Sequence, residues 1–146
     1  MPTYTAVIDS PLTPEAVWQR VSDVTTFAHW DPGTRSAVQV EGDGPGLGAG
    51  YVLTVGSLGG PLELRYEVTE FEPPRRLHLV ADTGTLRSDD RITVEPAGAG
   101  SRVTYRAYLG LHGPWVVFTP LLALAFRRIA GKGAAGLGTY LDGSSS

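Results

Sequence analysis

Apolar and polar residues alternate along much of this chain, and the alternation changes period in only three places. Thr3 to Asp9 alternates with β-forming residues and reads as a first strand. Thr13-Pro14-Glu15 is a helix start: threonine to cap, proline at the first helical position, glutamate at the positive end of the dipole. Val17 and Val21, with Trp18 and Val24 beside them, form one helical face. A second short helical turn is expected over Thr25 to His29, ended by Asp31-Pro32-Gly33.

From Ser36 to Leu111 the spacing predicts six short strands: Ala37 to Glu41, Tyr51 to Ser57, Leu62 to Thr69, Leu77 to Asp82, Leu86 to Glu95 and Arg102 to Leu111. Gly59-Gly60-Pro61 reads as a turn, as does Pro96 to Gly100. Gly42 to Gly50 reads as a mobile loop between strands, which is the wrong context for a phosphate cradle. Trp115, Phe118, Leu122, Phe126 and Ile129 then recur at helical spacing in a long helix from Trp115 to Leu141. Pro120 should kink it and four glycines should weaken its second half. The expected domain is 1–142, with 143–146 as a flexible tail.

Composition narrows the functions. The 146 residues are 42% hydrophobic, enough for a core, and the net charge of -3 provides no basic footprint for nucleic acid. Charged residues are 18%, below the roughly 25% of ordinary domains. With no cysteine, disulfides, thiolate nucleophiles and cysteine zinc sites are excluded. No signal-peptide pattern opens the chain, and the longest apolar run is shorter than the roughly 20 residues of a membrane span. A cytoplasmic protein is expected. One lysine against eleven arginines, with no asparagine, points to a G+C-rich bacterial genome.

The order strand, two helices, six strands, long helix resembles the helix-grip fold of the START/Bet v 1-like (SRPBCC) superfamily, in particular its bacterial polyketide cyclase/dehydrase-like branch. The residues carrying the likeness are Pro14 to Trp18, His29-Trp30-Asp31-Pro32, Val68 to Leu77, and Gly100 to Tyr105. The resemblance implies an α+β fold in which a curved antiparallel sheet of about seven strands (β-αα-β6-α) wraps the C-terminal helix around an apolar cavity.

Period-two parity assigns the inner face. It takes Leu62, Leu64, Tyr66 and Val68 from one strand and Leu77, Leu79 and Ala81 from the next. Leu86, Ser88, Asp90, Ile92 and Val94 follow, then Val103, Tyr105, Ala107 and Leu109. For the strand after the loop, Tyr51, Leu53 and Val55 are chosen. Ligand-binding candidates are thus Trp30, Tyr51, Leu53, Leu64, Leu79, Ser88 and Ile92, with Trp115, Phe118, Leu122 and Phe126 from the helix.

Asp90 is the one carboxylate on the apolar parity. It is either a pocket group with a raised pKa or a strand-end residue that reaches solvent or pairs with a nearby arginine. Tyr66 and Tyr105 are either ligand-orienting phenols or core aromatics. His29, His78 and His112 lack metal-ligand spacing, and no nucleotide or nucleophile motif is present, so no metal and no cofactor are expected.

Two main functions remain. One is a binder of a hydrophobic small molecule such as a polyketide, lipid or sterol. The other is an enzyme performing aldol-type ring closure, with Asp90 as base and Tyr66 or Tyr105 as donor. Cyclases of the resembled family pair an arginine with tyrosines in the pocket. Here Arg65, Arg87, Arg91, Arg102 and Arg106 fall on the outward parity unless a bulge turns Arg87 or Arg91 inward. A third reading is a homodimeric module using the apolar arc of the Trp115 to Leu124 helix; a monomer is the alternative.

Overall fold

The computed structural model describes residues 3–31, 34–57, 60–113 and 131–141. Seven strands form one antiparallel sheet: β1 (Thr3–Ser10), β2 (Thr34–Glu41), β3 (Gly50–Ser57), β4 (Gly60–Glu72), β5 (Arg76–Asp82), β6 (Leu86–Ala97) and β7 (Gly100–Leu111). Their order across the sheet is β1-β7-β6-β5-β4-β3-β2. The last six form a meander, and β1 returns to pair with β7, so β1 and β2 are the two edges. The chain passes from one edge to the other through α1 (Pro14–Val21), a 3-10 turn (Val24–Thr26) and α2 (Phe27–Trp30).

The helix-start signals act as expected. The Thr13 hydroxyl accepts from Ala16 N at 3.2 Å, Pro14 opens the helix, and Val17, Trp18 and Val21 are buried. Trp18 meets Phe71 edge-on at 5.3 Å, which seats α1 on the sheet. Phe71 reaches this face because β4 carries a register shift between Val68 and Glu70. The extra residue moves the inner parity from even to odd numbers.

Residues 131–140 are helical, forming α3. Ala134, Leu137 and Leu141 are buried at helical spacing. Of the glycines expected to weaken this segment, Gly133 faces Asp31: a Cβ there would lie 3.4 Å from Asp31 Oδ1. The Ser10 hydroxyl donates to Leu141 O at 2.5 Å, and an Arg20 guanidinium N–H donates to Tyr140 O at 2.9 Å. These bonds tie α3 to β1 and α1. The expected helix before residue 131, with Pro120, Trp115, Phe118, Leu122 and Phe126, lies outside the described residues, as does the tail.

Three local expectations change. Gly60 and Pro61 belong to β4, since a proline is tolerated in the first positions of a strand. Likewise Pro96 and Ala97 extend β6, leaving only Gly98-Ala99 between Ala97 and its partner Gly100, with Gly98 at φ 59°. The Gly42 to Gly50 loop is pinned: Gln39 Nε2 donates to Gly44 O at 2.8 Å and its Oε1 accepts from Gly44 N at 3.0 Å. Gly48 N and Val68 N close the loop's far end on β4 with 2.9 Å bonds to Val68 O and Ala49 O.

Candidate functional site on the inner face of the sheet

The register settles which side chains share a face. Pairing along β5–β6 and β6–β7 is continuous, with Asp90 opposite Leu79 on one side and Ala107 on the other. Asp90 therefore shares its face with Leu79, Ala107, Ser88 and Ile92. Without a bulge in β6, Arg87 and Arg91 stay on the opposite face. Tyr51, Leu53, Leu64, Leu79, Ile92 and Tyr105 are buried. Leu62, expected on the same face, is 37% exposed because it stands near the outer end of its strand.

Four polar side chains gather on this apolar surface. The Tyr66 hydroxyl and Ser88 Oγ share a hydrogen bond of 2.7 Å. Asp90 follows Ser88 by two residues, and Tyr105 lies opposite Ile92 on β7. Trp30, at the end of α2, meets Tyr105 edge-on at 6.0 Å and Phe27 at 4.8 Å. Trp30 Nε1 and the Tyr51 hydroxyl are buried without a hydrogen-bond partner among the described residues. A buried unsatisfied donor costs about 1–3 kcal/mol, so each of these needs a reason.

The electrostatics set the protonation states. Burial pushes the Asp90 carboxyl up from 3.8 to about 7, with the negative charges of Asp31 and Asp89 adding to the rise. Burial likewise raises both Tyr66 and Tyr105 well above the usual phenol value, and Asp90 raises each further. At neutral pH the phenols are therefore hydrogen-bond donors, while Asp90 is poised between acid and carboxylate. Such a group can accept from a hydroxyl, donate to a carbonyl, or move a proton.

Asp31 is a residue that the strand pattern does not reveal. It follows α2, where the residue pattern reads as a helix stop. The Thr34 hydroxyl holds its Oδ2 at 2.9 Å, and its charge acts on Asp90, Tyr66 and Tyr105. No parity rule reaches it, because it is brought to the sheet by the α2–β2 connection.

Two of the three histidines make polar contacts away from this cluster. His78 faces outward, bonded to Thr69 Oγ1 and to Asp89, while His112 pairs with Asp82 at 3.3 Å. Among the described residues, no group of three or more His, Cys, Asp or Glu is placed to hold a metal ion, and no helix is long and apolar enough to cross a membrane.

Comparison with known proteins agrees with this architecture. The family described as "Polyketide cyclase / dehydrase and lipid transport" matches residues 1–142. An uncharacterized protein of Mycobacterium tuberculosis, Rv1546, is 29% identical over 130 residues, covering 84% of this chain and 85% of its own. Among solved structures, a START superfamily protein from Mycobacterium smegmatis superposes with a TM-score of 0.77 at 14% identity, covering 95% of this chain and 96% of its own. TTHA0849 from Thermus thermophilus gives 0.76 at 19% identity, covering 96% and 97%. At these identities the structures speak for the fold alone: a helix-grip fold. With the family match spanning nearly the whole sequence, the chain belongs to the polyketide cyclase/dehydrase and lipid transport family of the START/Bet v 1-like superfamily.

Proposed function

We propose that the inner face of the sheet binds a hydrophobic small molecule of the polyketide, lipid or sterol-like kind, oriented by Asp90, Tyr66, Tyr105 and Trp30. The observation that carries this reading is Asp90 itself. It stands on the apolar face, enclosed enough to be strongly shifted, yet it keeps some accessible surface. That combination fits a group bordering an internal space rather than one packed in a solid core. The Trp30 Nε1 and Tyr51 hydroxyl, without a partner among the described residues, add donors for a ligand oxygen. Apolar walls with a few directed polar groups are the usual make-up of small-molecule sites.

Mass spectrometry of the purified protein tests the reading. Under native conditions the chain should carry an extra mass that denaturation releases as an organic-soluble compound. Stripping that compound should lower the melting temperature, because a ligand at 100 times its Kd stabilises by about 2.7 kcal/mol. A bare mass together with an unchanged melting temperature after organic extraction would count against a bound ligand.

One observation favours a second reading, aldol-type ring closure. A carboxyl with a pKa of about 7 suits a general base at neutral pH, and two protonated phenols nearby suit a developing enolate. On this reading Asp90→Asn should abolish turnover of a poly-β-ketone and Tyr66→Phe should slow it at least tenfold. Unchanged turnover in both variants removes the assignment. Binding remains the primary reading, because Arg65, Arg87, Arg91, Arg102 and Arg106 all lie on the opposite face by the strand register.

A further inference from the structure

The outer face of the same sheet carries a second concentration of chemistry, separated from the first only by strand parity. Where β1, β7 and β6 adjoin, a surface hollow of about 360 Å³ is lined by Thr3, Arg87, Asp89, Arg91, Arg106 and Tyr108. Three guanidiniums face one carboxylate there. Arg91 stands directly opposite Arg106 in the β6–β7 register, and like charges placed so are destabilising.

The guanidinium donors are largely unused. Arg87 reaches Asp89 at 3.5 Å and Asp82 at 3.7 Å, and Arg91 reaches Asp89 at 3.8 Å, all beyond the roughly 2.7–2.9 Å of a charge-assisted hydrogen bond. Arg106 has no ion-pair partner among the described residues. Elsewhere on the surface, Arg65 and Arg102 each donate to a carboxylate, Glu41 at 3.2 Å and Asp9 at 3.1 Å. Asp89 is also held by His78 on the neighbouring strand. The Tyr108 phenol lies along its strand over Gly110, where any Cβ would sit 2.7 Å from the hydroxyl. Gly110 thus leaves room for the ring to form one side of the hollow.

We propose that this hollow is an anion site for a phosphomonoester group. Three arginines against Asp89 and the Asp82 that pairs with Arg87 at 3.7 Å leave a net positive charge, which a phosphomonoester at neutral pH, carrying about −1.5 to −2, offsets. Planar guanidinium forks match phosphate oxygens in pairs, and an anion between Arg91 and Arg106 relieves their repulsion. The volume lies at the lower end of the ~300–1,000 Å³ range of small-molecule sites, so it admits more than a bare ion.

The test follows arginine Nε–Hε and backbone amide NMR signals at low salt during addition of glycerol 3-phosphate. A parallel arm measures co-sedimentation with phosphatidylcholine vesicles with and without phosphatidic acid, which distinguishes a soluble metabolite from a lipid headgroup. Saturable shifts at Arg87, Arg91 and Arg106 are expected, or saturable binding that depends on phosphatidic acid. In either arm Arg106→Gln and Arg91→Gln should weaken the response at least tenfold, and Arg102→Gln should leave it unchanged. The proposal is overturned by no saturable response in either arm, or by an equal loss in Arg102→Gln, which would mark diffuse charge attraction.

Discussion

Replacing Asp90 by Asn should stabilise the protein at pH 8 and leave its stability almost unchanged at pH 4. In the unfolded chain this carboxyl titrates near 3.9; in the folded protein burial raises it to about 7. The folded state therefore holds the proton more tightly. The stability linked to that proton is complete below pH ~4, is lost as pH rises towards 7, and changes no further above it. Three pH units correspond to about 4 kcal/mol at most, and the partial accessibility of Asp90 brings the expected difference to ~2–4 kcal/mol. For a chain of this size that is a rise of about 4–16 °C in melting temperature at pH 8. Melts of both proteins from pH 4 to 8 check it. Parallel curves across the range would show that Asp90 is not held in a desolvating site.

Gly100→Ala should be among the most damaging single-atom additions in the molecule. The new Cβ would lie 2.1 Å from Ser10 O and 3.1 Å from Pro11 Cα, both backbone atoms that no side-chain rotation can move. Relief requires opening the end of the β1–β7 ladder, where Ser10 pairs with Ser101. That junction also carries the Ser101 hydroxyl's 2.7 Å bond to Leu12 O and the Ser10 hydroxyl's bond to α3. A loss of about 3 kcal/mol is expected from overpacking, or roughly 6–12 °C in melting temperature. Gly46→Ala is the control, since no atom lies within 4 Å of its added Cβ and its backbone is not left-handed. It should melt within about 2 °C of the parent, because Gly→Ala at a compatible position changes stability by only ~0.4–1 kcal/mol.

Much of this architecture is legible in the sequence because one face of every strand is buried. Alternation at Leu64-Tyr66-Val68 and Leu77-Leu79-Ala81 fixes parity, and parity alone puts Asp90 inside and the arginines outside. Where a second signal interrupts the period, the pattern falls short. Thr69 is the extra residue in β4, and nothing in Val68-Thr69-Glu70 distinguishes it from a regular strand residue. Prolines at 61 and 96 read as breakers, although strand ends tolerate them. The Gly42 to Gly50 loop reads as mobile because its restraint comes from Gln39, a side chain on the preceding strand. Asp31 eludes periodicity altogether, since its place beside the sheet depends on tertiary packing. The Arg91–Arg106 juxtaposition needs the strand pairing, which residue spacing alone does not supply.

On the proposed function, the inner face takes a hydrophobic ligand beside Asp90 and Trp30. The most direct measurement is an NMR titration with the neutral fluorophore N-phenyl-1-naphthylamine, following the Trp30 indole N–H and the amides of Ser88, Asp90 and Tyr105. Saturable shifts of these signals at one probe per chain, with the amides of Arg87 and Arg106 moving less, are the predicted result. No saturable binding, or shifts confined to the outer face, would contradict it.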